Sequence, residues 1–399
     1  MNLTSKVNIK VFPAKGGDAI LISLNNYTIL VDSGYPNTYK IIKKELEKSM
    51  YNKRLDMFIV THIDNDHILG GIELLKDTGL NKQIKIDNIL FNGYRQILGK
   101  KDLENSKDVD YKCKMMEISS IGEINLDEFE GESLDDIGYE EGKTFSELLK
   151  EKKCNINKGF PEGVFKKDSN SYNTINISNN SKIIIITPTK DKLINLIDKW
   201  RRYLRSEEIE EIPCKESEKA FENYILNSDS FAESLDNIGN NIFDIQGLAK
   251  KNISTKTTTT NESSIGFILI VDKKKYLFPG DAYADDILES LKDLLEKSVI
   301  KNMDFELLKV PHHGSKNNIS DELLKNISCN NYIISTNGAH NHPDKETIAK
   351  IISYNNNCNI YFNYKLKLID EINRAKNDVF KFNIFSADGN NNEILELNL

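Results

Sequence analysis

The sequence predicts a mixed α/β fold, with a strand-rich N-terminal part, a long variable middle and a C-terminal part in which strands and helices alternate. Three observations predict it. Three short β-forming runs, residues 7–12, 19–24 and 27–32, follow one another with only Gly-Gly and Asn-Asn turn signals between them, the pattern of a strand meander. Residues 181–188 hold four consecutive isoleucines, the mark of a strand buried on both faces. From residue 265 to residue 354, β-rich runs alternate with amphipathic ones, so strands should each be followed by a helix.

Taken in order, residues 37–50 carry helix-forming charges, with Ile41, Ile42, Leu46 and Met50 near one face. Residues 56–61 read as a buried strand. Between 91 and 261 the pattern is least legible. Residues 117–151 are strongly acidic, which reads as a solvated face or loop. A helix is expected over 191–205, with Leu193, Ile197, Trp200 and Leu204 on one side and Arg201, Arg202 and Arg205 as the densest basic spot. Salt bridges to the acidic run 207–211 are the plainer reading of those arginines and nucleic-acid contact the sharper one. Residues 132–138 and 233–239 resemble each other but are too short to define a repeat, and 206–260 read as helical pieces ending in a polar linker, 254–260. Then come a hairpin of 265–271 and 276–281 around a turn at 272–275, a helix to about 299, a strand at 305–310, a helix at 320–327, a strand at 332–336 and a helix at 344–354. Residues 1–399 are expected to form a single domain, with 92–260 containing a partly helical, acidic insertion or cap and 261–399 completing the fold.

The chain is 39% hydrophobic, enough for a substantial core. No stretch approaches the roughly 18 apolar residues of a membrane span, and the first residues lack the apolar region of a signal peptide, so no membrane association and a cytoplasmic location are expected. The five cysteines, Cys113, Cys154, Cys214, Cys329 and Cys358, are odd in number, scattered and without C-x-x-C spacing, which fits reduced thiols used in packing. A net charge of −8 argues against a generally basic, nucleic-acid-coating surface. It leaves room for a local positive pocket built from bound cations and a few lysines.

Function is concentrated in the histidines. All six fall in three short motifs: His62 and His67 with Asp64 and Asp66, the pair His312 and His313, and His340 with His342. The first motif follows the strand at 56–61, so the turn there should present these side chains to one cavity. Two imidazoles and two carboxylates converging on one point are costly to bury unless a divalent cation compensates them. Mixed nitrogen and oxygen ligation suits zinc, manganese or iron better than calcium or magnesium. Asp281, His312 and His313, and His340 and His342 follow three consecutive strands and should share one rim. Lys309 and Lys316 flank the double histidine and are candidates for holding a phosphate, or plain solvated lysines.

Residues 61–71, THIDNDHILGG, resemble the T-H-x-[HD]-x-D-H-x-x-G signature of the metallo-β-lactamase fold superfamily, with Asp64 where many members carry a second histidine. With residues 277–282 (LFPGDA), 310–315 (VPHHGS) and the pair His342-Pro343, the chain is similar to the soluble hydrolase domain of the DNA-uptake competence protein ComEC and its stand-alone relatives. Residues 16–23 and 29–34 match the opening hairpin of that family, and 261–266 precede the Gly-Asp strand. The resemblance runs from about residue 7 to about residue 345 and implies an αββα sandwich with two divalent metal ions, zinc or manganese, at the edge between two sheets. It implies that His62 and Asp64 ligate the first metal, Asp66 and His67 the second, and that Asp281 bridges both. Either His312 or His313 completes the second site, the other serving as a supporting or transition-state donor. Asp32 braces the metal loop, and His342 touches substrate or metal. His340 is the least secure, with an exposed loop histidine as its alternative. Asp66, His313 and His342 are the expected catalytic residues, with Lys309, Ser315, Lys316 and His340 grouped around them. One departure stands out: no histidine lies between 67 and 312, where the superfamily carries its third-motif histidine. The first site is therefore expected to be nitrogen-poor, filled weakly by an oxygen-preferring ion such as Mn²⁺ or completed by His340 or His342.

Two divalent ions roughly 3.5 to 4 Å apart would make hydroxide available at neutral pH and stabilise the departing oxygen. The leading expectation is therefore a dinuclear phosphodiesterase or nuclease acting on DNA or a nucleotide. Hydrolysis of another ester, lactone or thioester is the first alternative, and a metal-stabilised sensing or partner-binding protein is the second. Residues 92–260 would be a substrate cap in the first two readings and a docking surface for a protein partner in the third.

Overall fold

Val7, Ile9 and Val11 are buried while Asn8 and Lys10 between them are not, so the first strand has one face to bury and one to show. In the computed structural model, which describes residues 6–49, 54–97, 145–167, 172–206, 243–251, 253, 258–387 and 393–399, β1 (Val7–Val11), β2 (Ile20–Leu24) and β3 (Tyr27–Val31) pair antiparallel, with Ile9 opposite Ile22 and Ile22 opposite Ile29. The chain then crosses over through the helix Pro36–Ser49 and continues in parallel. A short β4 (Arg54–Leu55) leads into β5 (Met57–Ile59) beside β3, and after the helix Asn65–Lys76, β6 (Lys85–Ile86) pairs with β4 and β7 (Ile89–Leu90) with β5.

The second sheet begins with an antiparallel set: β8 (Thr174–Ser178), β9 (Ser181–Thr187), β10 (Gly266–Val271) and β11 (Lys274–Phe278). It continues in parallel. After β12 (Asp304–Phe305) come β13 (Leu307–Lys309), β14 (Ser328–Cys329), β15 (Asn331–Ile334), β16 (Asn359–Phe362) and β17 (Asn383–Ser386), with β14 set aside to pair with β12. Finally β18 (Leu395–Asn398) returns to pair with β1. The strand orders are β18-β1-β2-β3-β5-β7 and β17-β16-β15-β13-β11-β10-β9-β8.

The isoleucine run shows how the layers form. Ile183 and Ile185 face the first sheet, in a cluster with Ile9, Ile22, Ile29, Ile59, Phe267 and Ile333. Ile184 and Ile186 face away, into a second cluster with Ile287, Leu291, Ile348 and Ile352 from the helices Ala284–Glu296 and Lys345–Tyr354. On the far side of the first sheet, Leu21, Leu30 and Phe58 pack with Ile42, Leu46, Leu74 and Leu75 of the two crossover helices and with Leu148 and Leu149 of Phe145–Glu151. These layers make the αββα sandwich expected from the sequence. Each large side chain buried in them contributes about 1.5–3 kcal/mol.

The helices expected over 37–50, 191–205, 320–327 and 344–354 are found as Pro36–Ser49, Lys190–Ser206, Asp321–Asn326 and Lys345–Tyr354. The turn expected at 272–275 is shorter, because Lys274 already pairs with Val271. The strand expected at 305–310 is split at Glu306, whose N–H bonds Lys275 O. The strongly acidic residues 117–144, the similar stretches 132–138 and 233–239, and the side chains of Trp200, Arg201, Arg202 and Arg205 lie outside the described residues. Cys154, Cys329 and Cys358 are free thiols; Cys113 and Cys214 are not among the described residues. Among the described residues no helix is long and apolar enough to cross a membrane.

This topology decides where chemistry can sit. Parallel strands share a direction, so the carboxyl ends of β3 and β5 in one sheet and of β11, β13 and β15 in the other lie on one edge, the usual place for a site in such sheets. Because β2 runs antiparallel to β3, the residues just before β2 reach the same edge.

Candidate metal centre

Each parallel strand delivers its side chain through a short turn. β3 ends in Asp32, which is buried and has a positive φ of 53°. Its carboxylate accepts from Thr61 N at 2.7 Å and from Thr61 Oγ1 at 2.8 Å, so it fixes the turn after β5. That turn carries His62, Asp64 and, in the first turn of the helix Asn65–Lys76, Asp66 and His67. β11 leads through Gly280, at φ +60°, to Asp281. A Cβ on Gly280 would meet Ser264 Cβ and Thr61 Cβ at 3.1 Å, so glycine is required for both backbone shape and space. Beyond β13 three successive positive φ values, at His312 (46°), His313 (52°) and Gly314 (89°), turn the chain sharply. Left-handed backbone at two non-glycine residues is strain of the kind that accompanies functional sites.

Three imidazoles are held in the same way. His62 Nδ1 lies 3.0 Å from Thr61 Oγ1 and 3.3 Å from Ser264 Oγ. His67 Nδ1 lies 2.9 Å from Asp32 Oδ2, and His313 Nδ1 lies 3.0 Å from Ser335 O. The partners of His67 and His313 accept only, so their Nδ1 atoms donate, and the Thr61 hydroxyl, which already donates to Asp32, can accept from His62 Nδ1; the Nε2 side of each ring is directed into the cluster. All three Nε2 atoms are buried and have no hydrogen-bond partner. They converge on one oxygen: Asp281 Oδ2 lies 3.9 Å from His62 Nε2 and 3.5 Å from both His67 Nε2 and His313 Nε2.

Carboxylates complete the arrangement. Asp64 Oδ2 lies 3.1 Å from His62 Nε2, and Asp66 Oδ2 lies 3.2 Å from His313 Nε2 and 3.6 Å from His67 Nε2. Asp18, His67, Asp281 and His313 also offer ligand atoms within 4.8 Å of one another. Asp66 is the better carboxylate partner of the two on geometry, because Asp18 approaches the Nδ1 side of His313, at 3.7 Å, and is engaged by the Lys309 ammonium. Among the described residues, the carboxylates of Asp18, Asp32, Asp64, Asp66 and Asp281 thus gather around these rings, with the Lys309 ammonium paired to Asp18 and Asp281. Lone pairs and negative charge converging in a buried site are compensated by protons or by a cation.

The electrostatics express that demand. Burial would lower His67, but Asp66, Asp281 and Asp32 outweigh it and hold the ring well above its ordinary value. Burial acts on His313 in the same way and is outweighed by Asp281 and Asp18. Burial would raise Asp66 and Asp281, yet His67 and His313 hold the first below the carboxylate range, and Lys309, His67 and His313 hold the second well below it. His62 is lowered to about 4, first by burial and then by His67.

The structure separates the two adjacent histidines. His313 turns into the cluster, whereas His312 Nδ1 meets Asn318 Oδ1 at 2.8 Å and its ring packs 5.3 Å from that of His342. His342 is partly buried, with Nδ1 3.7 Å from Asp344 Oδ2, and His340 is exposed. His342 is turned toward His312 and Asp344 and away from the rings around Asp281, so of the two expectations for the nitrogen-poor first site, weak filling or completion by His340 or His342, the part that called on His342 is not seen. Ser315 is buried and caps the following turn through Asn317 N at 3.3 Å. Lys309 lies beside the expected ligands, where the resemblance groups it: its side chain is 2% exposed and paired with Asp18 and Asp281, so it is not a solvated lysine. Lys316 is partly exposed and pairs with Asp344 at 3.6 Å.

Three residues escaped the sequence reading. Asp18 has only its place in the Gly-Gly-Asp turn before β2 to announce it. A Cβ on Gly17 would come within 1.9 Å of Asp66 O, so that turn lies directly against the metal loop. Ser264 links His62 to Asp281, accepting from Asp281 N at 3.2 Å. Asn318 links His312 to Asp281, donating from Nδ2 to Asp281 O at 2.9 Å.

Residues 13–136 match the family model of the metallo-beta-lactamase superfamily, a stretch that contains Asp18, Asp32, His62, Asp64, Asp66 and His67 but ends before Asp281 and His313. No curated protein matches the chain.

Proposed function

We propose, starting from the match of residues 13–136 to the metallo-beta-lactamase superfamily model, that this chain is a metal-dependent hydrolase, specifically a phosphodiesterase or nuclease of the ComEC-like kind. One observation carries the reading: the unpartnered Nε2 atoms of His62, His67 and His313 meet the same oxygen of Asp281 in a buried pocket. That donor set fits zinc or manganese. His67, His313, Asp66 and Asp281 would hold one ion, and His62, Asp64 and Asp281 a second, more weakly for want of nitrogen.

Bound there, divalent ions would supply Lewis acidity toward a phosphoryl oxygen and make water acidic enough to ionise near neutral pH. The chain's own residues supply the rest. Asp32, Thr61, Ser264 and Ser335 hold the three rings in the orientation that presents Nε2, as supporting groups around metal ligands do. His312 and His342 stand beside the cluster rather than in it, with their rings 5.3 Å apart, so this pair borders the space a substrate at the metal site would enter. With a net charge of −8, attraction for a phosphodiester would come from the occupied site and not from the general surface.

The test is cleavage of labelled single- and double-stranded DNA and of bis(p-nitrophenyl) phosphate by metal-stripped protein resupplied with Mn²⁺, Zn²⁺ or Mg²⁺, with Asp66→Ala as control. Cleavage that requires both metal and Asp66 is the expected result. Tight metal uptake without cleavage of any of the three would remove the phosphodiesterase reading and redirect attention to other esters.

A further inference from the structure

Lys309 is the last residue of β13, and its ammonium is buried at the centre of the carboxylate cluster. It is bound to Asp18, itself 1% exposed, and lies 3.4 Å from Asp281 Oδ1. The rest of Asp281 is tied as well: its N–H donates to Ser264 Oγ at 3.2 Å and its carbonyl accepts from Asn318 Nδ2 at 2.9 Å. With backbone and Oδ1 both engaged, only Oδ2 remains to face the three imidazole nitrogens.

We infer that Lys309, anchored by Asp18, is a positioning residue that makes Asp281 a one-oxygen ligand. This rests on the metal-centre reading above and goes beyond it. A carboxylate with both oxygens free can rotate or chelate an ion with both, as the larger, oxygen-seeking cations favour. Engaged by an ammonium at Oδ1, it cannot do so without breaking a buried ion pair, which is strongly unfavourable when one partner is left alone. The lysine is also a permanent positive charge, so part of the carboxylate excess is compensated before any metal arrives.

The test is calorimetric titration of metal-stripped protein with Mn²⁺ and Zn²⁺, alongside thermal melts without metal, on wild type, Lys309→Met and the double variant Asp18→Asn/Lys309→Met. The single variant leaves Asp18 buried without its cation, so its metal-free form should melt lower. The double variant leaves no orphan charge from that pair and should regain most of the melting temperature. Its metal affinity should nevertheless stay about 10- to 100-fold weaker than wild type, the usual cost of removing a group that orients a metal ligand. A purely structural lysine would give the opposite result, a double variant that folds and binds metal as tightly as wild type, and that result overturns the inference. Should wild type take up no metal, or His67→Ala bind as well as wild type, the metal-centre reading itself fails, and the role of Lys309 with it.

Discussion

His67 Nδ1 and Asp32 Oδ2 lie 2.9 Å apart, and through this bond an aspartate at the end of β3 sets the ring of a histidine on the helix that follows the neighbouring strand β5. Asp32 also binds both the N–H and the hydroxyl of Thr61, and Thr61 Oγ1 in turn meets His62 Nδ1. One carboxylate thereby orients two of the three rings.

Asp32→Asn should therefore weaken metal binding without emptying the site. An amide oxygen can still accept from Thr61, but the charge that favours hydrogen on His67 Nδ1 is gone. A loss of roughly 10- to 100-fold in metal affinity is expected, measured by competition with a chelating indicator; unchanged affinity would show that Asp32 only supports the backbone.

His67→Ala and His312→Ala should behave differently although both histidines belong to short, similar motifs. His67 Nε2 faces Asp281, so its loss should strip the protein of metal, as read by elemental analysis after dialysis. His312 faces Asn318 and His342 instead, so His312→Ala should retain metal and lose turnover. Metal loss in both variants would mean that His312 belongs among the ligands.

Gly17→Ala should be disproportionately damaging for a one-methyl change. Its Cβ would lie 1.9 Å from Asp66 O, and relieving that overlap moves either the Gly-Gly-Asp turn or the metal loop. A cost of roughly 1–3 kcal/mol is expected for such overpacking, together with weaker metal binding, both measured by thermal melts with and without Mn²⁺. A melt and a metal-induced shift equal to wild type would show that the turn yields freely.

Away from the site, Asp77 gives an acid-stability test. Burial would raise its pKa, but Lys43, the Leu80 N–H and Tyr39 hold it at about 2. Its folded value is thus depressed below the unfolded value of about 3.9. Its stabilisation is present above that unfolded value and disappears as pH falls through about 2. Lys43 is 36% exposed, so screening limits the ion pair to about 1 kcal/mol or less. Asp77→Asn should lower stability at neutral pH and flatten the acid limb between about 4 and 2. A denaturation series in which both proteins lose stability in parallel over that window would contradict it.

Much of the framework was readable because it rests on local pattern. Alternation in residues 7–11, the unbroken isoleucines at 183–186 and turn residues between them specify strands that any partner would bury. What local pattern could not supply was long-range company. His312 and His313 follow the same strand, and only the left-handed turn at 312–314 decides which ring enters the cluster. Asp18 and Lys309 are single charged residues at strand boundaries. Their pairing appears only when the two sheets stack, which is why the sequence offered Lys309 a phosphate or solvent as its partner and not Asp18. The C-terminal strand β18, which closes the first sheet against β1, was likewise hidden, since nothing in residues 395–398 points to a partner at the other end of the chain.

The most direct measurement is anomalous diffraction at the Mn or Zn absorption edge from crystals soaked in that ion. A peak within ligand distance of His67 Nε2, His313 Nε2 and Asp281 Oδ2, about 2.0–2.2 Å for zinc, is the expected result, with any second and weaker peak beside His62 and Asp64. A fully loaded crystal with no peak at these atoms, or with its peak elsewhere, would contradict the assignment of this cluster as the metal centre.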